Sequence, residues 1–84
     1  MKVQVRLFAG LRDKLPDAVR GRAELDLPED CSLQELLDRL EIHEKQAQMV
    51  LVNGVQASRG RAARETLTLL EGDDVAIFPP LAGG

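Results

Sequence analysis

Cys31-Ser32-Leu33-Gln34-Glu35-Leu36-Leu37-Asp38-Arg39-Leu40 is the stretch from which the fold can be read. Ser32 has Glu35 three residues on, the spacing of a capping box, in which each side chain satisfies a backbone N–H near the other. With Ser32 as N-cap, Cys31 and Leu36 take the two positions of a hydrophobic staple. Cys31 thereby has a structural task and is read as a staple residue rather than a catalytic thiol. Leu33, Leu36, Leu37 and Leu40 recur at i, i+3, i+4 and i+7, one apolar stripe on a helix from about Leu33 to Glu41. Gln34, Glu35, Asp38 and Arg39 take the wet side. A helix with one apolar stripe has to lay it on another layer, so strands are expected to either side in sequence.

Upstream, Lys2 to Phe8 alternates apolar with polar at Val3, Val5 and Leu7, the period of a half-buried strand. Phe8 falls on its more exposed face, as a rim residue packing on a loop or as an interface contact. Ala9-Gly10 ends the strand, and Leu11 to Gly21 reads as a loop or a single helical turn broken at Pro16. Ala23-Glu24-Leu25-Asp26-Leu27 alternates again, stops at Pro28, and is expected to pair with the first strand.

Downstream, residues 42 to 48 are ambiguous, with one more helical turn as one reading. Their His43, the only histidine, has no partner at catalytic or metal spacing and reads as a surface residue. Met49-Val50-Leu51-Val52 is almost wholly apolar, which suggests a central place in the sheet. Asn53-Gly54 tolerates the positive φ values of a type I′ turn and predicts a hairpin returning along Val55-Gln56-Ala57. Ser58 to Thr66 is polar and Arg-rich, hence a loop. Leu67 to Leu70 reads as another short extended segment or turn. Glu71-Gly72-Asp73-Asp74 then turns the chain into a last strand, Val75 to Phe78, with Val75 and Ile77 facing the helix and Ala76 and Phe78 facing away.

The fold class expected is α+β. A mixed sheet of about four to five strands carries one main helix on one face, with the first and last strands parallel and adjacent in the middle. That is the β-grasp arrangement of ubiquitin. With 84 residues, there is room for a single domain, residues 1–84. Only Phe8 and Phe78 are aromatic, so aliphatic side chains must fill the core.

Composition excludes several functions. There is no apolar run near the length of a membrane span and no signal-peptide pattern, so a soluble, cytoplasmic protein without a membrane partner is expected. One cysteine cannot build a disulfide framework or a zinc site, and no metal is expected. A net charge of −3 argues against general nucleic-acid binding. Acids crowd residues 24 to 44, whereas Arg12, Lys14, Arg20 and Arg22 cluster, as do Arg59, Arg61 and Arg64. These groups are either a solvated surface or a means of steering toward a charged partner.

The last strand runs into Pro79-Pro80-Leu81-Ala82-Gly83-Gly84, read as a protruding tail over residues 79–84. Glycine lacks Cβ, so Gly83 and Gly84 fit a passage too narrow for other residues, and that passage would belong to another protein. Pro79 and Pro80 fix φ and limit the disorder of the free tail.

With these motifs in view, the sequence resembles the MoaD/ThiS family of ubiquitin-like sulfur carriers. The resemblance rests on the opening strand with Phe8-Ala9-Gly10, the Ser32-Leu33-Gln34-Glu35-Leu36-Leu37 helix start, Val52-Asn53-Gly54, Glu71-Gly72-Asp73, and the ending Phe78 to Gly84. Strand, Pro-Pro and terminal Gly-Gly look most like the small subunits of molybdopterin synthase, and the length leans the same way. The resemblance implies that the Gly84 carboxylate is adenylated with ATP by a ubiquitin-activating-type, MoeB-like enzyme. A sulfurtransferase then supplies sulfur, and the resulting thiocarboxylate donates it in the active site of a larger, MoaE-like synthase subunit during molybdenum cofactor biosynthesis. It further implies no cofactor bound to the carrier, no catalysis by the carrier alone, and an apolar docking face of Phe8, Phe78 and Leu81, with simple packing at the end of the sheet as the other reading of Phe78. Two alternatives share the activation chemistry: a carrier for thiamine, cysteine or tRNA thiolation, and a protein modifier joined through Gly84 to a lysine. A plain interaction domain with an idle Gly-Gly is the remaining reading.

Overall fold

Val3, Val5 and Leu7 are enclosed while Lys2 and Gln4 face outward, so the alternation of β1 (Lys2–Leu7) divides an inner from an outer surface. The computed structural model describes residues 1–15 and 18–80. A 3-10 helix (Ala9–Lys14) follows β1, with Leu11 turned into the core; the expected break at Pro16 lies outside the described residues. β2 (Arg22–Asp26) returns antiparallel, with Val3 opposite Leu25 and Val5 opposite Ala23. Next come α1 (Leu33–Arg39), β3 (Met49–Val52), β4 (Val55–Gln56), a second helix α2 (Arg61–Thr66) and β5 (Asp74–Phe78).

The sheet has five strands in the order β2-β1-β5-β3-β4. β1 and β5 are parallel at its centre, with Val5 beside Val75 and Leu7 beside Ile77, and every other pairing is antiparallel. β3 is internal but off-centre, between β5 and the short edge strand β4. This is the β-grasp expected from the order of elements.

Helix α1 starts where its cap places it. The Glu35 backbone N–H donates to Ser32 Oγ at 3.1 Å, one half of the capping box. Cys31, Leu33, Leu36, Leu37 and Leu40 all enter one cluster with Val3, Val5, Val50, Val75 and Ile77. Each such aliphatic side chain contributes about 1.5–3 kcal/mol by leaving water. In the turn after β3, Asn53 and Gly54 have φ of 53° and 81°, both positive as a type I′ hairpin requires.

The structure corrects three expectations. Residues 61–66 form α2 rather than continuing a loop from Ser58 to Thr66, and α2 packs on α1. Arg64 is not part of a solvated arginine cluster: it is 1% exposed and donates from Nη2 to the Ala47 carbonyl at 2.8 Å, tying α2 to the segment before β3. Gln34 is likewise buried instead of wet, its Nε2 donating to Asp38 Oδ1 at 3.0 Å. The common cause is α2 itself, which lies over that side of α1 and carries the Arg61–Asp38 ion pair at 3.1 Å. Hydrogen bonds from Gln34 and Arg61 hold the Asp38 carboxyl below its ordinary range.

The acidic run is also more dispersed than its count suggests. Asp26 and Glu29 lie 3.4 and 3.8 Å from the N-terminal ammonium, and Glu24 lies 3.7 Å from Lys2. These exposed pairs contribute little to stability, and they set three acids of the run against cations.

Candidate functional site

Two parallel strands at the centre of a sheet end at the same edge, and that rule builds the site. β1 ends at Leu7 and β5 at Phe78, so Phe8 and Phe78 emerge side by side. Their rings stack with centroids 4.2 Å apart and planes 9° from parallel. The Phe8 backbone N–H donates to the Ile77 carbonyl at 3.3 Å, closing the parallel ladder at this end. Pro79 is half-buried and Pro80 exposed. Having no N–H, both prolines stop the β5 ladder here. Leu81, Ala82, Gly83 and Gly84 lie outside the described residues.

The pleat fixes what accompanies the aromatic pair. Since Val75 and Ile77 face α1, Asp74, Ala76 and Phe78 face away. Phe78 stands opposite Met49, and Ala76 lies between Arg6 and Leu51. The open face of the sheet thus carries a half-buried apolar strip of Phe8, Phe78, Met49 and Leu51, with Ala76 fully covered among them. Arg6 borders it and forms a two-pronged contact with Asp74, Nη2 to Oδ2 at 2.9 Å and Nε to Oδ1 at 3.2 Å. Met49 and Leu51 were legible as members of this strip only through strand parity.

Beside Phe8 a cavity of about 230 Å³ is lined by Leu7, Arg6, Arg12, Arg20 and Arg22. Arg12, Arg20 and Arg22, read as a charge cluster in the sequence, do come together here. Gly21 makes the convergence possible. Its φ is 75°, its carbonyl accepts from the Leu7 N–H at 2.7 Å, and an added Cβ would sit 2.4 Å from the Leu7 carbonyl oxygen. Sequence reading missed this glycine because the close approach is tertiary. The Arg-Gly pair between two strand patterns was the only local signal.

The other chemistry-bearing residues are elsewhere. Cys31 is 1% exposed, and burial followed by the Glu35 charge pushes its thiol above the ordinary range, so it stays protonated. His43 sits in an exposed turn where its backbone N–H donates to Gln46 Oε1 at 2.9 Å. Among the described residues no group of three or more His, Cys, Asp or Glu is placed to hold a metal ion. No described helix is long and apolar enough to cross a membrane. What the site offers is a handle: an apolar strip bordered by guanidinium groups at the point where the chain leaves the sheet.

The sequence matches the family model "ThiS family" over residues 5–84. Among curated proteins none matches. The fold is similar to that of SAMP1 from Haloferax volcanii, at 24% identity and a TM-score of 0.67 with 100% of both chains covered. It is similar to a provisionally assigned molybdopterin converting factor subunit 1 from Pyrococcus furiosus, at 26% identity and a TM-score of 0.66, covering 95% of this chain and 98% of that one. A complex of subunits 1 and 2 of molybdopterin-converting factor from Helicobacter pylori gives 20% identity and a TM-score of 0.59, with 100% of both chains covered.

Proposed function

This chain belongs to the ThiS family, and on that footing we propose that it carries sulfur on the carboxyl group of Gly84 for molybdopterin synthesis. The single observation that carries the reading is that the family match runs through Gly84 while the tail is launched from the central strand β5. A tail rooted there is held by ladders on both sides, so its base is fixed and its reach is defined. Residues 79–84, fully extended, span at most about 20 Å, enough to enter a buried site from a docked body.

The chemistry needs little from the carrier. A carboxylate resists nucleophiles because resonance and charge both oppose attack. Attack of the Gly84 carboxylate on the α-phosphorus of ATP expels pyrophosphate and leaves an acyl-adenylate, with AMP as a good leaving group. A persulfide sulfur of a sulfurtransferase then displaces AMP at the carbonyl carbon, and thiol cleavage of the S–S bond frees the thiocarboxylate. The sulfur passes to the pterin precursor, and water returns the chain end to a carboxylate. ATP is therefore consumed by the activating partner rather than held as a cofactor by this chain.

The strip of Phe8, Phe78, Met49 and Leu51 is the docking face for the activating enzyme and for a larger synthase subunit in turn. The likeness to subunit 1 of the converting factors supports that choice of pathway. Pro79 and Pro80 lower the entropy lost when the tail is inserted. The test is ATP–pyrophosphate exchange by a ubiquitin-activating-type enzyme from the same organism. The full chain should support exchange, and a chain lacking Gly83 and Gly84 should reduce it to background. Equal exchange with both chains would overturn the proposal.

A further inference from the structure

Among the described residues, Arg64 is the one buried charge, and the carrier reading does not use it. It is 1% exposed, and only Nη2 is engaged, by the Ala47 carbonyl at 2.8 Å. Nε and Nη1 are enclosed and have no hydrogen-bond partner among the described residues. Sealing cationic N–H groups away from water without acceptors is costly, and native structures rarely leave such groups unanswered. Arg64 lines a cavity of about 380 Å³ together with Lys45, Arg59, Glu44 and Gln48. Burial lowers the Arg64 pKa, the Glu44 carboxylate acts against that, and Arg59 adds a smaller lowering. No ion pair joins Glu44 to Arg64 among the described residues. The lining thus holds three cations against one acid, and Arg64 has two enclosed donors unanswered among the described residues, which an anion reaches as the lining side chains shift.

We propose that this cavity is a binding site for a small tetrahedral oxyanion, phosphate or sulfate, held by Arg64 with Arg59 and Lys45 at its mouth. An oxyanion has acceptors on every side and matches guanidinium donors that a carbonyl alone cannot satisfy. The site is at the tail end of the sheet, since Gln48 precedes Met49 and Met49 pairs with Phe78. Occupancy would therefore brace α2 against the segment that leads into β3. The inference does not depend on sulfur transfer and stands or falls separately from it.

The experiment titrates inorganic phosphate, and separately sulfate, against chloride at constant ionic strength, following thermal unfolding and the arginine Nε–H and backbone amide resonances. The unfolding temperature should rise with phosphate as expected for a ligand of the native state. The Arg64 Nε–H and Ala47 amide signals should shift saturably in the millimolar range or below. Arg64→Met, which fills the same volume without donors, should abolish both effects. Should that variant not fold, the doubly substituted Lys45→Gln, Arg59→Gln chain carries the test, with binding weakened about tenfold. Equal stabilisation by chloride, equal phosphate response in Arg64→Met, or resonance shifts confined to exposed residues would each overturn the site.

Discussion

A chain extended by one residue beyond Gly84 should fold with unchanged stability and lose at least about 100-fold in adenylation. The expected insensitivity of the fold follows from where the tail begins. β5 ends at Phe78, the ladder stops at Pro79 and Pro80 is already exposed, and the core cluster draws on no residue after Ile77 among the described residues. The expected loss of activation follows from positioning. An added residue moves the carboxylate about 3.5 Å along the extended tail. A displacement of about 1 Å from the attacking geometry is enough to cost on the order of 100-fold. The former Gly84 carboxylate also becomes an amide, which has no oxygen able to attack ATP. Thermal unfolding and the exchange rate, measured on one preparation, separate the two effects. A body that unfolds at the same temperature but cannot be activated is the expected pair of results. Exchange at the unextended rate would remove Gly84 from the chemistry.

Gly21→Ala should destabilise the protein by about 2–4 kcal/mol, a large share of the stability of a domain this small. Two costs combine. The backbone there has a φ of 75°, which a Cβ disfavours. The new Cβ would also stand 2.4 Å from the Leu7 carbonyl oxygen, a main-chain atom that cannot rotate aside. Relieving that clash means pulling the loop off β1 and lengthening the 2.7 Å Leu7–Gly21 hydrogen bond. The unfolding temperature should fall by on the order of 10–20 °C. Gly10→Ala is the matched control. Its Cβ meets nothing within 4 Å, so its unfolding temperature should barely change. If the two variants unfold together, the close approach at Gly21 is not what limits that position.

The contrast between Gly21 and the capped helix shows what a sequence discloses. Ser32, Glu35 and the four leucines of α1 act through neighbours a few positions away, so spacing alone reveals them. The same is true of Asn53-Gly54, whose φ values a two-residue turn demands. Val3, Val5, Val75 and Ile77 announce a sheet face by alternation, and all four are buried in the cluster with the leucines of α1. Helix α2 was illegible because it has no apolar stripe. It buries Arg64, a residue type almost always exposed, and its helical marks are the helix-forming run Arg61 to Glu65 and the Arg61–Glu65 pair at i and i+4. Missing α2 led directly to placing Gln34 in water.

At the candidate site, the sequence supplied Phe8 and Phe78, and only the parallel pairing of β1 with β5 could stack them. Their joint position depends on register, which a crossover of 66 residues, 8–73, does not encode locally. The arginines around Phe8 are a similar case. Arg12, Arg20 and Arg22 cluster in sequence, but Arg6 joins them through the sheet. The charge pattern was visible, and the surface it makes was not.

Intact-mass spectrometry of the chain purified from cells that make the cofactor bears most directly on whether Gly84 carries sulfur. A fraction of the protein should weigh more by the replacement of one oxygen with sulfur, the difference should map to the C-terminal peptide, and it should vanish when the activating enzyme is deleted. A chain that shows only the unmodified mass in those cells, or isopeptide-linked adducts in place of the thiocarboxylate, would contradict it.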